Sequence, residues 1–145
     1  MSSVPPAGPP ASPPASPLHD PLVGQVIGKH LIADFYGALY QTDLKNIEKA
    51  LGAAANAAGA VVLNVVVHRF PNSSGVTGVA ILAESHISIH TWPEHDYIAL
   101  DIFMCGNSDP QVALDWLRDF FEPKEVKIQL IERAATPATQ EVKKN

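Results

Sequence analysis

Residues 84–90 read Glu-Ser-His-Ile-Ser-Ile-His and sort by parity. Glu84, His86, Ser88 and His90 share one side of a period of two, and Ser85, Ile87 and Ile89 share the other. That is the period of a strand, here with one apolar face and one face of carboxylate, hydroxyl and imidazole groups. An unpaired polar group buried in a core costs several kcal/mol in the limit. Packing alone therefore does not explain so many reactive side chains in one strand. A turn or bulge at Ala83-Glu84-Ser85 would let the apolar runs on either side pair as a hairpin. It would free Ser85 from strand parity and set it at a strained, accessible corner, where its own backbone can react.

The flanking sequence supplies the rest of a sheet. Lys29 to Tyr36 reads as a strand closed by Gly37. Thr42-Asp43 offers a helix cap, and Leu44, Ile47, Leu51, Ala54 and Ala58 recur at helical spacing until Gly59. Val61 to Phe70 is rich in β-branched residues and ends at Pro71-Asn72-Ser73-Ser74-Gly75. Val76 to Ala83, His86 to Trp92 and Tyr97 to Met104 read as further strands. Asp109-Pro110 then opens a helix with Ala113, Leu117, Phe120 and Phe121 on its apolar face, Pro123 ends it, and Val126 to Ile131 forms a last strand. This order predicts an α+β two-layer sandwich, a mainly antiparallel sheet with two helices on one face. The other face has no cover within the chain, and an exposed apolar sheet face calls for a second subunit, so a homodimer is expected.

With 145 residues there is room for one domain with a real core. Eight of the 13 prolines lie between positions 5 and 21, so residues 1–24 read as a solvated Pro/Ala/Ser-rich leader and 25–133 as the folded domain. Residues 134–145 read as a flexible polar tail. The net charge of −5 argues against nucleic acid or an anionic membrane as partner and suits a small cationic substrate. The single cysteine, Cys105, rules out an intrachain disulfide and a cysteine-based zinc site. Without an apolar run long enough to span a membrane, or a signal-peptide pattern, the chain reads as cytoplasmic.

Three chemistries fit the polar strand. His86 and His90, with His68 or Glu84, could ligate a metal, though no HExxH helix or second compact ligand cluster accompanies them. A Ser/His/Asp hydrolase would need a nucleophile elbow such as GxSxG, which is absent. The third is internal serinolysis, attack of a serine hydroxyl on the carbonyl of the residue before it.

The run Ala83-Glu84-Ser85-His86-Ile87-Ser88-Ile89-His90-Thr91-Trp92-Pro93-Glu94 closely resembles the self-cleavage motif of the bacterial and archaeal S-adenosylmethionine decarboxylases. The resemblance extends from Gly28-Lys29-His30-Leu31 through His68-Arg69-Phe70, Gly75-Val76-Thr77-Gly78 and Cys105-Gly106 to about Glu132. It implies that Ser85 attacks the Glu84 carbonyl, that the resulting ester eliminates, and that chains 1–84 and 85–145 stay associated. The new terminus at Ser85 becomes a pyruvoyl group, the cofactor, which forms a Schiff base with the substrate amine and accepts electrons as CO₂ leaves. By the same resemblance His90 accepts the proton during processing, work that suits an imidazole. Cys105 protonates the substrate carbon, and Glu84 donates the scissile carbonyl.

Position 77 is usually serine in that family, where the hydroxyl assists processing. Thr77 keeps the hydroxyl but restricts χ1. The implied product is decarboxylated S-adenosylmethionine for spermidine biosynthesis. The alternatives are a pyruvoyl-dependent ornithine or arginine decarboxylase on the same scaffold, or an unprocessed regulatory homologue. His68 and His86 read as structural, Phe70, Trp92 and Tyr97 as core aromatics, and no metal is expected.

Overall fold

The computed structural model describes residues 26–134, so the leader at 1–24 and all but the first residue of the tail at 134–145 lie outside the described residues. The elements run β1 (Gly28–Tyr36), α1 (Leu44–Ala57), β2 (Val62–Arg69), β3 (Val76–Leu82), β4 (His86–Trp92), β5 (Tyr97–Cys105), α2 (Pro110–Phe121) and β6 (Glu125–Arg133). A single 3₁₀ turn, Pro93–His95, joins β4 to β5. The strands form one sheet in the order β2-β3-β4-β5-β1-β6, and each neighbouring pair is antiparallel. The expected sandwich is present, with its sheet wholly antiparallel.

Both helices form where side chains satisfy their first free N–H groups. Asp43 accepts from the Asn46 amide at 3.1 Å to start α1, and Asp109 accepts from the Gln111 amide at 2.9 Å to start α2, with Pro110 in the first turn. Gly59, at φ +82°, follows α1, and Glu122, at φ 45°, closes α2. α1 buries Ile47, Ala50, Leu51, Ala54 and Ala55, while α2 buries Ala113, Leu114, Leu117 and Phe121. Phe120, expected on that stripe, is only half-buried and stacks on Trp116, because Leu114 and Phe121 already complete the face.

α1 packs on β2 and β3, α2 on β1 and β5, and the helices pack on each other. Beneath them lie Leu31, Ala33 and Phe35 of β1, Ile87 and Ile89 of β4, and Ile98, Leu100, Ile102 and Met104 of β5. Truncating one of these large aliphatic side chains to alanine costs about 2–5 kcal/mol.

The opposite face has no cover within the chain, but it is not the apolar surface expected from sequence. Ile32, Val79, Ala99 and Phe103 share it with His30, Asp34, His86, His90 and Asp101. Phe70, Trp92 and Tyr97 are half-buried and absent from the hydrophobic core, with Trp92 and Tyr97 standing on this open face, because the strand parity that buries Thr91 and Ile98 turns them away from the helices.

Candidate active site

The β3–β4 connection is the tight turn expected at residues 83–85. The Leu82 amide donates to the Ser85 carbonyl at 3.0 Å, and the Ala83 amide donates to the Val61 carbonyl at 2.9 Å. Ser85 is half-buried and Glu84 is exposed. The non-glycine residues with positive φ in the described chain are Tyr40, Asn72, Asp96, Glu122 and Ala134. The turn thus carries no left-handed backbone strain, contrary to the strained corner expected for Ser85.

Cys105 ends β5 level with this turn, because the register that sets His86 opposite Phe103 carries β5 two residues further. Its thiol lies 3.4 Å from the Glu84 carbonyl oxygen and 3.5 Å from Glu84 Oε2. Burial first, then the hydrogen bond to the Glu84 carboxylate and its charge, push the Cys105 thiol up from its ordinary value. The loop after Cys105 is tied back by the Asp109 amide, which donates to the Ala58 carbonyl at 3.2 Å. The segment from Ala58 to Val61 thereby anchors both the turn and the cysteine loop. A cavity of about 230 Å³ opens between them, lined by Glu84, Ser85, Cys105 and Asn107 among others.

Thr77 and His90 meet at the other end of the hairpin. They are directly opposed across β3 and β4, with Thr77 Oγ1 3.3 Å from His90 Nδ1. Two neighbouring glycines permit this. A Cβ on Gly75 would sit 2.5 Å from the Thr91 carbonyl oxygen, and one on Gly78 would sit 2.8 Å from Val67 and 3.0 Å from Ile89. With only hydrogens there, the Val76 amide reaches Thr91 Oγ1 at 2.8 Å, and that hydroxyl donates to the Gln41 carbonyl at 2.6 Å. An aromatic row flanks the pair. Trp92 stacks on Tyr97 at 5.4 Å and Tyr97 on Tyr36 at 5.3 Å. Tyr97 Oη donates to Asp34 at 2.6 Å, and burial followed by this bond pushes the phenol up to about 12.

The residues singled out by sequence therefore fall into two groups. Glu84, Ser85 and Cys105 converge at the turn, and Thr77 and His90 converge at the far end. With a rise of about 3.3 Å per strand residue, His90 lies roughly 16 Å from Ser85 along the same strand. Within one chain the imidazole does not reach the serine.

The same spacing separates His86 from His90 by roughly 13 Å, so the pair considered as metal ligands cannot share an ion. Among the described residues, the group whose ligand atoms do come together is His30, His86 and Asp101, all within 4.8 Å. His30 Nε2 bonds Asp101 Oδ1, and His86 Nε2 lies 3.8 Å from the same oxygen. Arg133 donates to His30 Nδ1 at 3.3 Å. The cluster is arranged as a polar network that runs across β4, β5, β1 and β6 on the open face. Strand parity in the sequence marked only His86 as part of the polar face, and its meeting with His30 and Asp101 depends on strand order.

A sequence model of the S-adenosylmethionine decarboxylase family matches residues 29–134. The S-adenosylmethionine decarboxylase proenzyme of Methanococcus aeolicus is 45% identical over 111 residues, which cover 74% of this chain and 94% of that protein. The protein of the same name from Thermomicrobium roseum is 37% identical over 107 residues, covering 73% and 92%. The crystal structure of the adenosylmethionine decarboxylase from Aquifex aeolicus matches with a TM-score of 0.66 at 34% identity, covering 75% of this chain and 92% of that one. Fold and site together define an α+β enzyme built on an antiparallel sheet, with a serine in the turn of its β3–β4 hairpin. The chain belongs to the S-adenosylmethionine decarboxylase family.

Proposed function

We propose that the chain is a proenzyme that cuts itself between Glu84 and Ser85 and then decarboxylates S-adenosylmethionine to S-adenosylmethioninamine, the aminopropyl donor for spermidine. The observation that carries this reading is the turn. Ser85 follows the Glu84 carbonyl there, the only thiol in the chain stands 3.4 Å from that carbonyl oxygen, and a cavity opens beside them. The proenzyme names of the relatives support it.

Ser85 is both the nucleophile and the origin of the cofactor, and it is itself half-buried while Ala83 and Glu84 before it are exposed. Once formed on residue 85, a pyruvoyl group supplies an electrophilic carbonyl for the substrate amine and an acceptor for the electrons released with CO₂. Cys105, beside the turn, is suited to return a proton to the substrate carbon, because a thiol pushed up from its ordinary value stays protonated near neutrality. His90 acts as the proton acceptor in processing. If its Nδ1–H donates to Thr77 Oγ1, then Nε2 presents a free lone pair.

His90 stands too far from Ser85 in its own chain, so the processing site is completed by a second copy. In a two-fold dimer packed through the open faces, the turn end of one protomer meets the far end of its partner, and the reverse. Chains 1–84 and 85–145 remain associated, because the hairpin they share stays paired on both sides in one sheet.

Intact mass of freshly purified protein under denaturing conditions tests the reading. Two chains, 1–84 and 85–145 with a pyruvoyl start, are expected, together with CO₂ release from S-adenosylmethionine. A single uncut chain without decarboxylase activity would overturn it.

A further inference from the structure

Cys105 has two hydrogen-bond acceptors, and one residue supplies both: the Glu84 carbonyl oxygen at 3.4 Å and Glu84 Oε2 at 3.5 Å. Among the described residues the salt bridges are confined to His30, His86 and Asp101, so no cation neutralises the Glu84 carboxylate. Other charged groups border the thiol without engaging it. Lys29 of β1 and Asp109 at the start of α2 line a second cavity beside Cys105, and Asp109 is occupied with the Gln111 amide. Arg133 of β6, opposite Gly28, is turned to His30 and to the Phe103 ring.

We propose that Glu84 is a positioning residue for Cys105, and that chain cleavage strengthens this role by turning the Glu84 carbonyl into a second carboxylate against the same thiol. The inference rests on the self-cleavage reading and deepens it. Ser85 Oγ bonds to the Glu84 carbonyl carbon, the peptide C–N bond breaks, and the hydroxyl proton passes to the nitrogen. A base then takes the Ser85 Cα proton, the Cβ–O bond breaks, and the Glu84 carboxylate leaves with the electron pair. The enamine left on residue 85 becomes an imine, and one water converts it to the ketone with loss of ammonia, which takes up the released proton. One neutral carbonyl has become one anion beside Cys105, and no oxidant or reductant is needed.

A like charge disfavours the ionised form of its neighbour. A thiol facing two carboxylates keeps its proton, as the donor to a substrate carbon must. The uncut precursor, facing only one, holds that proton less firmly. Cleavage thus creates the electrophile and sets the acid in a single event, and the acid is not fully tuned until the cofactor exists.

Because Cys105 is the only cysteine, iodoacetamide alkylation followed by intact mass reads it directly. Rates are measured against pH for processed wild type, uncut Ser85→Ala, and uncut Ser85→Ala/Glu84→Gln. At pH 8 the double variant is expected to react fastest, Ser85→Ala about 3-fold or more slower, and processed wild type slower again. The pH midpoints are expected to rise in that order. Coincident midpoints in the two uncut variants overturn the role of the Glu84 side chain. Coincident midpoints in Ser85→Ala and processed wild type overturn the effect of cleavage. A change of limiting rate with an unmoved midpoint reports access alone and also overturns the proposal. If wild type itself proves uncut, the self-cleavage reading fails and the second carboxylate with it, while the two uncut variants still decide the role of Glu84.

Discussion

The two ends of the β3–β4 hairpin bring together different residues and are built differently. At the turn, Glu84, Ser85 and Cys105 sit at the ends of strands, held by a few backbone hydrogen bonds to the segment between Ala58 and Val61. At the far end, Thr77 and His90 are interior strand residues, opposed in the ladder, backed by close-packed glycines and flanked by stacked aromatics. The difference follows the work proposed for each. A segment whose own backbone is cut and rebuilt needs few constraints, whereas a proton acceptor must be held in one orientation. The open face between them, mixed rather than apolar, is where a second copy would join the two.

The most severe test of that division is complementation. Ser85→Ala and His90→Ala are each expected to remain uncut alone. In hybrid dimers the His90→Ala chain keeps Ser85 and borrows His90 from its partner, so it is expected to be cleaved when the two are co-expressed. Intact mass of the mixture reads the result, and absence of cleavage would show that the ends do not cooperate across subunits.

The contrast in rigidity predicts unequal tolerance. Gly78→Ala drives a Cβ against Val67, Ile89 and Leu51, and is expected to lower stability by about 1–3 kcal/mol in urea unfolding. Ala83→Ser in the exposed turn is expected to stay within about 0.5 kcal/mol. Equal losses would erase the contrast.

Thr77→Ala removes one hydrogen bond to His90 and is expected to slow cleavage about 3- to 10-fold, the equivalent of about 0.5–1.5 kcal/mol. An unchanged rate in a time course on denaturing gels would remove Thr77 from the mechanism.

The smallest effect concerns Tyr97, pushed from 10.0 up to about 12 in the fold. The folded state holds this proton more tightly, so the contribution is complete below pH 10 and is lost as pH rises toward 12. Urea midpoints at pH 9 and pH 11 should therefore differ less in Tyr97→Phe than in wild type. An equal difference would mean that the phenol does not govern alkaline stability.

Much of the fold was legible in the sequence because its signals are local. Asp43 and Asp109 each cap the helix that follows, and the six strand segments fall within a residue or two of their expected ends. The misreadings came where packing decides between similar residues. Leu114 rather than Phe120 fills the α2 stripe, and Trp92 and Tyr97 stand on the open face because the strand parity that buries Thr91 and Ile98 turns them outward.

At the site, the sequence by itself determined the turn at residues 83–85, the parity that sets His86, Ser88 and His90 on one face, and the family motif. Each depends on covalent neighbours and a period of two. Only the tertiary structure decided that Cys105 comes back to the Glu84 carbonyl, that Thr77 rather than Ser85 is the neighbour of His90, and that His30, His86 and Asp101 converge. Those contacts depend on strand order and register, which are set by how helices and strands far apart in the chain bury a shared core.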